Sequence, residues 1–570
     1  MRLRSKRTAP ALLTALLAGL LPSLSVATPA HAAGTSYYLD NRAGSNCADS
    51  GAGTQQQPWC TFAPVNARTF SAGDRILLAR GAQWREGMTL TGSGTAAQRI
   101  ELSAYGSGPR PRILKGAANN GISLLNASHW AVRSLEIDGH GTQKMIYGIV
   151  AAYKGAEGIG HEDITFADLH VHHTHMGIYV AGNASPTADQ WAVKGVRMDS
   201  VKGEHNEVSI AFGDGRGLDQ FVQDAVLTRL ELSNDDGDPA VYKGCPNSLT
   251  LQSMTRVTVM NSVISHAGGC TVPTGTTGIY LGHVTGADIT NNIIAFTQQS
   301  GSPDQSGVNY EGWVNDAALR GNLITGNVRW GVGLQAIHPG GPNRDTTVES
   351  NAIVFNGRPP VAALGSAAPG DGVIRDNLWE GTGLTTEVSG GDFDGFTFAG
   401  NAGPVTGGRV WYAARDFATG QGIYGWHYQY SSDAGATWAD LAYNQADESW
   451  RPAGGTSLPL VKKWDWHPAG PSGYVARAWT APRDGTVAIR GQAAKTDLGG
   501  DGVRVRITRN GGEVLSPRTV TGSDRVGVAT DVDSLTVKAG DTLRFILDSG
   551  SAGANSYDTT SWTPVIGYLD

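Results

Sequence analysis

The sequence predicts an all-β protein in two parts, a parallel β-helix solenoid followed by an antiparallel β-sandwich. Three observations predict it. One short phrase recurs at a near-constant period between about residues 126 and 365. No 3.6-residue apolar pattern runs through that region. Beyond residue 410 the composition shifts toward tryptophan and short alternating strands.

The phrase is clearest in VTVMNSVIS (257–265), ADITNNIIA (287–295), AALRGNLIT (317–325) and TTVESNAIV (346–354). Each alternates apolar and polar residues, turns at Asn or Ser, and resumes with an apolar pair. A short return strand follows: GIYLG (278–282), GVNYEG (307–312) or GVGLQ (331–335). Marking the turn gives Leu135, Leu169, Asp199, Leu230, Ser262, Asn292, Asn322 and Asn351, at intervals of 34, 30, 31, 32, 30, 30 and 29 residues. A unit of this size cannot bury its own apolar face, so the units must stack. Two or three strands per period make the stack a parallel β-helix.

The elements follow in order. Residues 1–32 read as a signal peptide: basic MRLRSKR, an apolar run, then AHA (30–32) as the cleavage site. The protein is therefore expected to be secreted, and no other stretch is long enough to span a membrane. Residues 33–395 form the solenoid, its N-terminal end capped by segments 37–67 and 73–84. Residues 396–458 connect, and 459–570 form the sandwich, with strands such as TVAIRG and TLRFILD. Eight of the fifteen tryptophans lie after residue 410, as core packing or as platforms for sugar rings.

Secretion admits disulfides. Of the four cysteines, Cys47 and Cys60 would close a loop beside the first strand. Cys245 and Cys270 sit on adjoining coils and would pin a long loop to the body; other pairings would join distant coils. The net charge of −7 and 44 Lys plus Arg leave no basic stripe for nucleic acid.

Alternation in the return strands gives the chemistry an address. With Val308 and Tyr310 inward, Asn309 and Glu311 face out, and on the same grid so do Tyr242, Tyr280 and Gln335. Three loops open beside this face: 233–245 with Asp235, Asp236, Asp238 and Lys243; 265–278 with His266; and 297–307 with Asp304. Clustered carboxylates opposite Glu311 satisfy the two-carboxylate requirement of glycoside hydrolysis, because each raises its neighbour's pKa and keeps one protonated. The same aspartates would also suit a calcium loop or an Asx-rich turn. In HVHHTH (170–175), alternation sets His173 and His175 on one face and His170 and His172 on the other. No acidic partner is evident there, so no metal site is expected.

The coils, with Asn292, Asn322 and Asn351 in one turn column, resemble the right-handed parallel β-helix of the pectin-lyase-like superfamily over roughly residues 36–390. That resemblance implies a ladder of stacked asparagines, and a glycan-active protein of hydrolase, lyase, epimerase or tailspike type. The Asn-Asp-Asp run at 234–236 resembles the acidic motif of the polygalacturonase-like hydrolases, but their Gly-His-Gly and Arg-x-Lys motifs are missing. The C-terminal part is similar to accessory β-sandwich modules of secreted glycan-degrading enzymes.

The expectation is a secreted, monomeric glycoside hydrolase acting on a neutral poly- or oligosaccharide, with no required cofactor. Asp235, Asp236 or Asp238 supplies one carboxylate and Glu311 the other; Tyr242, Lys243, His266, Tyr280, Asp304, Asn309 and Gln335 bind substrate. The alternatives are a calcium-dependent lyase with Lys243 as base, disfavoured by the scarcity of arginine on the face, and a non-catalytic glycan-binding protein.

Overall fold

The computed structural model describes residues 34–141, 145–213, 220–235, 247–269, 276–301, 303–335, 341–364, 370–380, 393–455, 458–550 and 552–570. The segment expected to be a signal peptide lies outside them. Among the described residues no helix is long and apolar enough to cross a membrane.

A parallel β-solenoid of about nine turns is followed by three antiparallel sheets. Inward residues of successive coils stack in register. Ile149, Ile178, Ile210, Leu249, Ile279, Val308, Val332 and Val361 form one such column, all fully buried. β-Branched and leucine side chains suit this pleated, closely stacked interior.

Each coil turns through one left-handed residue followed by an inward-pointing one. The left-handed positions are Ser134, Asp168, Ser200, Arg229, Asn261, Asn291, Gly321, Ser350, Asp376 and Gly400. The third coil therefore turns at Ser200–Val201, not at Asp199; Lys202 pairs with His170 on one side and Glu231 on the other. From Asn292 onward the second turn position is asparagine. The Asn292 amide donates to Val259 O and Asn322 Oδ1 at 3.0 Å each. Asn322 repeats the pattern to Ile289 O and Asn351 Oδ1, Asn351 to Leu319 O and Asn377 Oδ1, and Asn377 to Val348 O and Asn401 Oδ1. Buried turn groups that water cannot reach are satisfied from coil to coil.

Outward residues of the sheet that follows these turns change character along the stack. Glu136 and Asp138, His170 and His172, Lys202 and Glu204 are polar; Ile293 and Ala295, Leu323, Ala352 and Val354 are apolar. The change marks where the C-terminal part docks: the apolar group packs against Val410, Tyr412, Trp464, Ala488 and Val565. Polar latches edge the contact. Asn291 Nδ2 donates to Gln492 O and Ser561 Oγ, Ser561 Oγ to Asn261 Oδ1, and Tyr412 OH to Gly321 O.

Phe396–Ala399 still pairs with Gly370–Arg375 in the last coil. Most of the expected connector belongs to the antiparallel sheets, since Val410–Tyr412 pairs with Val565–Tyr568 and Trp426–Ser431 with Tyr474–Thr480. Trp426, Trp450, Trp466, Trp479 and Trp562 form that region's core and are not sugar platforms.

Cys47 and Cys60 are bonded, with Cα atoms 5.1 Å apart. Cys245 and Cys270 lie outside the described residues. The 13-residue separation makes the Cys47–Cys60 bridge worth ~3 kcal/mol by loop closure. Changing both to serine should destabilise the N-terminal cap by about that much, measured as a shift in the denaturant midpoint.

Candidate active site

Strand Ser306–Tyr310 sets the site. Val308 and Tyr310 point into the solenoid, Asn309 points outward, and Glu311 follows at the strand's end. Tyr280 is the register partner of Asn309 on the preceding coil and Gly333 on the next. Because Leu281 pairs with Tyr310 and Tyr310 with Leu334, Gly282 and Gln335 flank Glu311. Two glycines make the room. A Cβ on Gly282 would lie 2.6 Å from the Tyr280 hydroxyl, so the phenol lies over that glycine, next to Glu311. A Cβ on Gly333 would lie 2.4 Å from Asn309 Oδ1.

A short chain of hydrogen bonds fixes the side chains. Ser306 Oγ donates to Asn309 Oδ1, and Asn309 Nδ2 donates to Glu311 Oε1 at 3.4 Å. Gln335 Nε2 donates to Asp304 Oδ1 at 3.3 Å, while Asn343 Nδ2 holds Gln335 through its carbonyl at 2.7 Å. Glu311 and Asp304 are 8% and 9% exposed. Burial pushes the Glu311 carboxyl up to about 7, aided by the neighbouring Asp304 charge and opposed by the Asn309 amide. Burial raises Asp304 as well, against the Gln335 hydrogen bond and the Arg329 charge. Burial first and the Glu311 charge second raise Tyr280. The result is a partly buried carboxylate pair, one member of which holds its proton near neutrality.

The structure thus brings Tyr280, Asp304, Asn309, Glu311 and Gln335 together, and the carboxylate that acts on Glu311 is Asp304. Asp235 is fully buried, its Oδ1 accepting from Ser209 Oγ at 2.8 Å and its carbonyl from Gly268 N. Asp236, Asp238, Tyr242 and Lys243 lie outside the described residues. His266 is elsewhere: it packs on Phe296 in a groove of about 740 Å³ beside Arg409, Arg415 and Lys463, against the C-terminal part.

Sequence reading missed the continuation of this face. The column through Asn309 and Tyr280 runs on through Thr250 and Ala211 to Tyr179, which stacks on Tyr147 at 5.5 Å. The two rings line a cavity of about 400 Å³ with Asn120, Ser123 and Lys154. Shifting the register by one period at a time would have found it. The histidines also depart from expectation. His173 is left-handed, which breaks the alternation and brings it against His172, while His175 turns to Glu207 at 2.7 Å.

No protein-family model matches the chain, and no curated protein matches it. Among solved structures the chain is similar to a GH136 lacto-N-biosidase from Eubacterium ramulus, at 16% identity and TM-score 0.38 over 64% of this chain and 67% of that one. It is similar to an alginate lyase from a Paenibacillus species at 17% identity and TM-score 0.32, over 59% of this chain and 92% of that one. A bacteriophage CBA120 tailspike protein 2 domain matches at 10% identity and TM-score 0.32, over 88% of this chain and 76% of that one.

Proposed function

We propose that the protein is a glycoside hydrolase acting on an extended, neutral poly- or oligosaccharide. The observation that carries this reading is the Asp304–Glu311 pair, with Glu311 protonated close to neutral pH on an otherwise hydrogen-bonding sheet face. Glu311 is the proton donor to the leaving oxygen. Asp304, ionised more readily through Gln335 and Arg329, is the second carboxylate, acting as base or nucleophile. Tyr280, Asn309 and Gln335 hold sugar hydroxyls. Tyr179, four coils away or ~19 Å at sheet spacing, and Tyr147 on the coil beyond it offer a ring platform, which suits an extended ligand.

Screening the protein on a polysaccharide panel tests this, with reducing ends and ultraviolet absorbance read together. New reducing ends without absorbance are expected. Absorbance from an unsaturated product would replace hydrolysis by elimination, and an absence of product would leave glycan binding alone.

A pH profile gives a sharper check. If Glu311 is the acid, kcat/KM falls above about pH 7, where its proton is lost. Asn309 donates to the charged carboxylate and so lowers this pKa; Asn309→Ala should move the alkaline limb to higher pH. A limb that stays in place would remove Glu311 from that role.

A further inference from the structure

A second cluster of chemically competent side chains lies on a different sheet, at its polar end. Strand Glu136–Asp138 pairs in register with His161–His172, setting Glu136 beside His170 and Asp138 beside His172. The left-handed turn residue His173 adds a third ring. One ligand atom each of Asp138, His172 and His173 lie within 4.8 Å of one another.

Their detailed geometry is that of a coordination site. His172 Nδ1 and His173 Nδ1 are 2.7 Å apart, and Asp138 Oδ1 is 3.7 Å from the first and 3.9 Å from the second. These sides bracket the ~3.4 Å that separates ligands around a tetrahedral zinc at 2.0–2.1 Å. Two imidazole nitrogens this close must share either a proton or a cation. The surrounding contacts favour the cation. His172 Nε2 donates to Glu136 Oε1 at 3.3 Å, which fixes the tautomer whose Nδ1 lone pair faces Asp138 and His173. Arg112 holds both carboxylates, Glu136 through Nε at 2.9 Å and Asp138 Oδ2 at 2.8 Å, while Asp138 Oδ1 accepts from His140 N at 3.0 Å and lies on the side of the rings. The alternative grouping of Glu136, His170 and His172 is preempted, because His170 Nε2 is engaged by Glu204 at 2.7 Å and Lys202 binds that same oxygen.

We propose that Asp138, His172 and His173 form a binding site for a borderline divalent transition ion, zinc foremost, with Glu136 as the carboxylate behind His172 and the fourth position open to solvent. The ion ties two successive coils together at the polar end of the sheet.

Calorimetric titration of the chelator-treated full chain with zinc chloride tests the proposal. One saturable site is expected, with a thermal midpoint that rises with zinc. Asp138→Asn and His173→Ala should each weaken it at least tenfold, and Glu136→Gln by ~10-fold or more. His266→Ala, on the other groove, should leave it unchanged. Cobalt in the same site should give the intense visible bands of a tetrahedral complex. Absence of saturable binding, or one site that survives both Asp138→Asn and His173→Ala, would overturn the assignment. Circular dichroism confirms that each variant folds; should His173→Ala fail, the near-isosteric Asp138→Asn carries the test.

Discussion

Glu311→Gln should lower kcat on the cleaved glycan by ~10²–10⁴-fold, the range for loss of a general acid, with little change in KM. The amide preserves volume and still accepts from Asn309 Nδ2, so the groove keeps its shape. The same substitution should stabilise the fold at alkaline pH. The folded-state pKa of Glu311 lies at about 7 against an ordinary value of 4.5, so between those limits the folded chain holds a proton that the unfolded chain has lost. The stability this group contributes is present below pH ~4.5 and is lost as pH rises through about 7. Above pH 7 the ionised, buried carboxylate works against folding by up to ~3 kcal/mol, at 1.36 kcal/mol per pKa unit. Glutamine is neutral throughout. Urea unfolding at pH 4 and pH 8 should show near-equal stability at the first and a more stable variant at the second. Retained turnover, or no gain at pH 8, would count against the assigned acid.

Asn322→Ala should be among the most damaging single changes in the solenoid, destabilising it by ~3–5 kcal/mol. Asn322 is fully buried and sits mid-ladder. Its Oδ1 accepts from Asn292 N at 2.9 Å and Asn292 Nδ2 at 3.0 Å, and its Nδ2 donates to Ile289 O at 2.8 Å. Its Nδ2 also donates to Asn351 Oδ1 at 2.9 Å. Alanine removes all four contacts, leaving Asn292 N and Ile289 O without these partners away from water, at ~1–3 kcal/mol each, and weakens the ladder at Asn292 Nδ2 and Asn351 Oδ1. Asn401→Ala removes the matching contacts at the ladder's end, to Asn377 and Ile374 O. Asn401 is only partly buried, so water can replace them and the loss should be ~1 kcal/mol. Denaturant midpoints of the two variants decide the matter; equal losses would mean the ladder is not a burial effect.

What the sequence revealed follows from what its period encodes. Alternation plus a thirty-residue repeat places Asn309, Glu311, Tyr280 and Gln335 on one face, because inward and outward are strict in a strand. The ladder's extension to Asn377 and Asn401 was harder to see, since those coils shorten to 26 and 24 residues. The proximity of Asp304 to Glu311 was not legible as a pair, because a loop between coils has no period and its path depends on Gln335 one coil on. The histidine cluster was legible in principle: Glu136 and Asp138 precede His170 and His172 by 34 residues, one coil. The acidic partners are not neighbours of the histidines in the chain; they stand one coil away in the stack.

The docked C-terminal part also changes how the solenoid comes apart. A bare stack of repeats unfolds from its ends, each coil held only by its neighbours. Here Asn261, Asn291, Gly321 and Ser350, on four consecutive turns, are each hydrogen-bonded to that part. Those coils are splinted, so none can open without tearing a shared seam. Amide exchange should reveal one slow block spanning them and a gradient of faster exchange toward the N-terminal cap. The carboxylate pair lies within the splinted span, where rigidity holds the two carboxyl groups at a fixed separation.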